Sequence, residues 1–229
     1  MPRFFRRKGG YGLQQQFVMP KAMLQNAALS GKSSDVLTQP LYDRINIATT
    51  IPTGEQSFFA NQQGVSVTII RGATAAAYNK TLRDTNLEVG GQVKKAFTVA
   101  GISLDYCPVT YAAGSRPSAL IAQDIMTLKF GSWFKFTVLD KTILTGPCAM
   151  LPTMNPLSFT TTQNDMTMLS GNADSQGGII MYKLPVPVTI EPDNAFKVVW
   201  MFDPPSTAVA LNTTMDLLIT LHAIMARPN

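Results

Sequence analysis

The sequence predicts an all-β protein of two facing antiparallel sheets, and three observations predict it. From Ile45 onward the chain is a succession of short apolar runs rich in Val, Ile, Thr and Phe, broken by Pro, Gly or Asn. Most runs alternate with the period of two that turns one face of a strand toward a core. Between Val93 and Ala226 they number about seven or eight, as many as a sandwich or jelly roll requires. A chain of 229 residues with 45% hydrophobic content suits one domain with appendages.

The first appendage is the N-terminus. The formal charge of +5 is not spread along the chain: Arg3, Arg6, Arg7, Lys8, Lys21 and Lys32 all precede the first acid, Asp35. The 13 basic and 14 acidic residues that remain sum to −1, so a neutral body carries a basic arm. Such an arm seeks a polyanion. "PKAMLQNAALSG", Pro20 to Gly31, reads as a short helix, with Pro20 in the first turn and Gly31 as the stop. The organisation expected is therefore residues 1–38 as basic arm with helix, 39–92 as an extension with short strands, and 93–229 as the β domain.

Within that domain, "AFTVAGISLDY" places Phe97 and Val99 on one parity and Ile102, Leu104 and Tyr106 on the other. A bulge at Ala100-Gly101 would bring both sets to the core. "IMTLKFGSWFKFTVLD" alternates throughout, with Met126, Leu128, Phe130, Phe134, Phe136 and Val138 on one face, and predicts a long strand bent or divided at Gly131-Ser132. In "LPVPVTIEPDNAFKVVWMF" the face Leu184, Val186, Val188 and Ile190 leads through a Pro-Asp-Asn turn to Phe196, Val198, Trp200 and Phe202. Pro185 and Pro187 cannot donate to a ladder and place this strand at a sheet edge or beside a bulge. "MDLLITLHAIMA" puts Leu217, Ile219 and Leu221 inward, while Leu218 and Ile224 keep its second face partly apolar, as in a central strand or one packed on a neighbouring subunit. Long polar segments intervene, above all Met154 to Gly178, and read as loops.

Residues that could carry chemistry are few. Cys107 and Cys148 are too few for a disulfide framework, lack zinc-ligand spacing and read as buried thiols. His222 is the lone histidine, with Thr220 and Asp216 on its parity, and reads as a structural or interface residue rather than a catalytic one. Gly31-Lys32-Ser33 resembles the end of a phosphate loop, but Asn26 replaces the first glycine and the segment ends a helix instead of opening one. Asp84 and Glu88 read as solvated loop charges. No secretion signal and no apolar stretch of membrane-spanning length is read, and no enzyme activity, metal or cofactor is expected.

The remaining signal is "MPRFFRRKGGYG". Arg3, Arg6, Arg7 and Lys8 can pair with phosphates while Phe4, Phe5 and Tyr11 stack on exposed bases, which makes Arg3, Phe4, Phe5, Arg6, Arg7 and Lys8 the predicted nucleic-acid-binding residues. The same composition would also set rings at the headgroup level of an anionic membrane, and a solubilising or subunit-clipping tail is the plainer alternative.

Four stretches, Gln39–Gly64, Asp84–Tyr106, Lys183–Phe202 and Asp216–Asn229, resemble in pattern and order the jelly-roll capsid proteins of small tailless icosahedral viruses, particularly bacteriophages and related environmental sequences. The resemblance implies a single antiparallel two-sheet jelly roll, subunits packed into a closed shell in the virion, and an arm directed inward to the genome or an internal membrane. Its partners would be many copies of itself, other capsid proteins and packaged nucleic acid, with no small-molecule substrate. A cellular lectin-like β-sandwich binding module with a basic tail is the alternative reading.

Overall fold

A computed structural model describes residues 34–71, 74–108, 119–153, 157–162, 165–170, 181–203 and 209–228. The predicted helix Pro20–Gly31 and arm residues 1–33 lie outside the described residues, as do 109–118 and much of 154–178. The strands are β1 (Ser34–Thr38), β2 (Leu41–Ile47), β3 (Gln56–Phe58), β4 (Ser66–Arg71), β5 (Thr74–Asn79), β6 (Phe97–Pro108), β7 (Ser132–Val138), β8 (Lys141–Pro147), β9 (Leu157–Thr162), β10 (Asp165–Ser170), β11 (Tyr182–Ile190), β12 (Phe196–Phe202) and β13 (Met215–Pro228). Among the described residues one α-helix, α1 (Ala119–Gly131), precedes β7.

Two antiparallel sheets dominate. In the first, β13 lies between β6 on one side and β1 and β2, end to end, on the other; β11 forms the far edge beyond β6. In the second the order is β3-β12-β7-β8. Two ribbons, β4–β5 and β9–β10, are inserted between these strands. The pairing is nested: β7 with β8, β6 with β11, β3 with β12 and β2 with β13. The body is therefore one long antiparallel ribbon rolled so that its successive rungs fall alternately in the two sheets.

The apolar faces of both sheets join in one core, with Ile102, Leu104, Leu217 and Ile219 from the first and Phe134, Phe136, Val198 and Trp200 from the second. β13 is buried on both faces, Asp216, Thr220, His222 and Ile224 lying opposite its apolar row, as a central strand should be. Opposite β13, His222 pairs with Gly101 and Ala223 with Val99, so Ala100 is the extra residue of a bulge at the predicted place. That slip lets Phe97 and Val99, and then Ile102, Leu104 and Tyr106, all be buried. β11 is an edge strand, and its register shifts between Lys183 and Val188, across the two prolines. Val186 is exposed there, unlike Leu184 and Ile190.

Two expectations change. Met126–Phe130 is helix, not strand. "ALIAQDIMTLKFG" is rich in helix formers, and its buried side chains Ala122, Ile125 and Leu128 recur every three residues while Met126 and Phe130 are exposed. A period-two reading cannot separate these because Leu128 belongs to both patterns. The helix ends at Gly131, where a Cβ would stand 2.6 Å from the buried Phe202 ring. The predicted Pro192-Asp193-Asn194 turn is present and joins β11 of the first sheet to β12 of the second as a crossover between sheets. Part of the polar segment 154–178 forms the ribbon β9–β10.

The segment 39–92 supplies strands to both sheets: β2 pairs with β13, β3 with β12, and Leu41, Ile47, Phe58 and Phe59 belong to the common core. β1, at the end of segment 1–38, pairs with β13.

Candidate functional site

The predicted nucleic-acid-binding residues Arg3, Phe4, Phe5, Arg6, Arg7 and Lys8 lie outside the described residues. On the body, the richest polar constellation sits where the β4–β5 ribbon meets β2. Phe59 occupies the left-handed region (φ 66°), and its N–H reaches the Asp43 carboxylate at 2.6 Å. Lys80 donates to the other oxygen of Asp43 at 2.6 Å, both side chains being buried. Burial pushes the Asp43 carboxyl above its usual range, against the opposing pull of the Lys80 ammonium and the hydrogen bonds it accepts.

Asp84 is buried as well and not the solvated charge that the sequence predicts. It accepts from Tyr78 Oη at 2.7 Å and from the Thr81 amide and hydroxyl at 3.0 and 2.9 Å. Burial works to raise its pKa, but these bonds and the Arg44 charge outweigh it and hold the carboxyl below the usual range. Arg44 bridges onward to Asp216 at 3.3 Å. Asn46 donates to the same carboxylate at 2.7 Å and accepts from the Ile70 amide of β4 at 2.7 Å. Glu88 behaves as predicted, pairing in solvent with Lys94.

Arg44, Asn46, Tyr78, Lys80, Asp84 and Asp216 line a cleft of about 190 Å³. Three carboxylates face two cations whose charges they already neutralise, and the bonds run from the ribbon to the sheet. A two-stranded ribbon is marginal alone, so Asp43, Asp84 and Asn46 serve to fix it in place. Asp43 and Lys80 do not stand out in the sequence. Their alternation within apolar neighbours was a signal only for Asp43, which shares the parity of Leu41, Ile45 and Ile47.

The second constellation is Ser103 Oγ with His222 Nε2, 2.9 Å apart on adjacent central strands. Burial alone lowers the His222 pKa and keeps the ring neutral. Among the described residues no carboxylate bonds the ring, and the pair spans neighbouring strands as a cross-strand hydrogen bond. The thiols are deactivated: burial pushes Cys148 up to about 12 and raises Cys107 too. Among the described residues no group of three or more metal-ligating side chains is placed to hold an ion. Asp124 of α1 accepts from Asn212 Nδ2 and from the amides of Asn212 and Thr213, which fastens the β12–β13 connection to the helix.

No protein-family model, curated protein or solved structure matches the chain.

Proposed function

We propose that this chain is a single jelly roll and serves as a viral capsid protein, assembling in many copies into an icosahedral shell with its basic arm turned inward to the genome or an internal membrane. The observation that carries the reading is the nested pairing of eight strands, with rungs alternating between the orders β2-β13-β6-β11 and β3-β12-β7-β8. Two sheets wound from one ribbon in that order are what a jelly roll requires. A neutral body with a six-cation arm supports it, since the body can pack against its copies while the arm neutralises phosphates without reading bases. Shell assembly proceeds by burying surface between copies, with obligate interfaces of roughly 2,000–5,000 Å².

Sedimentation velocity of the native preparation, followed at nucleic-acid and protein wavelengths, tests the reading. Large uniform particles with excess nucleic-acid absorbance support a filled shell. A slow, protein-only boundary that persists across protein and salt concentrations rejects assembly and leaves the lectin-like module. In intact particles, replacing Arg3, Arg6, Arg7 and Lys8 by alanine lowers packaged nucleic acid or its salt resistance; unchanged genome content refutes the role of the arm.

A further inference from the structure

The β4–β5 ribbon presents an unguarded strand edge. Ile70 of β4 gives its N–H to Asn46 Oδ1 at 2.7 Å and so does not donate it to β5, which makes Ile70 and Ala75 a pair without ladder hydrogen bonds. In an antiparallel ladder such pairs alternate with bonded ones. Ala76 therefore turns its N–H and C=O toward Ile69, whereas Ala75 and Ala77 turn theirs away from β4. Among the described residues no strand lies beyond β5, and the outward groups of Ala75 and Ala77 have no partner. Thr74, Ala75, Ala76 and Ala77 are all exposed. Edges of the main sheets are guarded against pairing: β11 carries Pro185 and Pro187, β8 carries Lys141 and Pro147, and β3 is only 3 residues long. β5 has neither a charge nor a proline.

We infer that β5 is a contact between copies of this chain, pairing antiparallel with the β5 of a second copy so that two ribbons join into one sheet. Strand addition draws affinity from main-chain hydrogen bonds and specificity from side-chain pockets, and a row of alanines offers no pocket by which to choose a foreign strand. The segment is uncharged, so its own copy approaches without repulsion. A two-fold axis at Ala76 sets Ala75 of each copy opposite Ala77 of the other, and the outward N–H and C=O groups of both then satisfy one another. The ribbon gains as well, because two strands alone are marginal and further strands stabilise them. This contact gives the assembly proposed above one defined interface, and it stands whether or not a shell closes.

Cysteine cross-linking of the full chain tests this, since a pairing of one strand lies below the roughly 1,200–2,000 Å² of a stable interface and calls for a trap. With the axis at Ala76, that residue faces its own copy in a non-hydrogen-bonded pair about 4.5 Å apart at Cα, within disulfide reach. Ala75 stands diagonal to the other Ala75, about 7–8 Å away and out of reach. Under oxidation Ala76→Cys should form covalent dimers about tenfold faster than Ala75→Cys, or than the wild type with its Cys107 and Cys148. Ala77→Pro removes an outward donor and no bond to β4; added to Ala76→Cys it should slow cross-linking about tenfold with an unchanged circular dichroism spectrum. Equal rates for Ala75→Cys and Ala76→Cys, no dimer above the wild type, or no slowing by Ala77→Pro overturn the inference. Hydrogen-exchange protection of the Ala75 and Ala77 amides without the cross-link hands the edge to a different strand and overturns it too. Intact particles lacking the cross-link reject this contact and leave the shell, whereas a cross-linked dimer that never grows larger rejects the shell and leaves this contact.

Discussion

The outer faces of the two sheets share a backbone pattern and differ in chemistry. On the first, Asp216 is held by Arg44 and Asn46, and Ser103 meets His222; these polar side chains are buried or half-buried with their partners in place. On the second, Lys197 is exposed and Lys135 half-buried, with no carboxylate in any of the four strands. Polar groups that leave water must find partners within the protein, so a satisfied cluster speaks of structure. Among the described residues neither lysine has an ion-pair partner, and an exposed cation of that kind contributes little to folding. Charge alone therefore does not mark a functional surface.

The predictions that break or sharpen this contrast run from large to small. Asp43→Ala leaves the Lys80 ammonium buried without its anion and should cost about 3–5 kcal/mol in denaturant unfolding. The Asp43→Leu/Lys80→Met pair should recover most of that loss; a single variant as stable as the wild type would remove the clamp from the account. Gly131→Val drives a side chain into Phe202 and should cost about 1–3 kcal/mol, with a lower melting temperature as readout.

Acidification should act through His222. Its folded pKa is below the unfolded value of about 6.5, so the unfolded chain binds the proton first and stability falls as pH drops from about 7 toward 5. His222→Gln should flatten that part of the melting-temperature profile, while an unaltered slope would assign it to other groups. Smallest of all, Lys197→Ala at an exposed position should change unfolding stability by less than about 0.5 kcal/mol. A large stability loss there would make the second face structural like the first.

Legibility in the sequence followed the range of the interactions. The Ala100-Gly101 bulge was readable because two apolar sets of opposite parity within one run can reach one core only through a slip. The prolines marked β11 as a strand at an edge or beside a bulge, and it is both, because a missing donor is a local property. The helix α1 was misread because its apolar residues satisfy both periods, and the buried set that decides between them depends on what packs against it. The candidate cleft was illegible for a similar reason. Asp43 and Lys80 are 37 residues apart, and nothing local distinguishes Lys80 from a solvated lysine.

The sequence by itself determined an all-β body of near-neutral charge, its basic N-terminal segment and the place of its bulge, because parity, propensity and charge are carried by neighbours along the chain. Only the tertiary structure decided that segment 39–92 gives strands to both sheets, that β11 and β12 part company at the Pro-Asp-Asn turn, and which charges are paired. Those outcomes depend on strands far apart in the chain competing for the same edges and the same core, and the energy of that choice exists only once they meet.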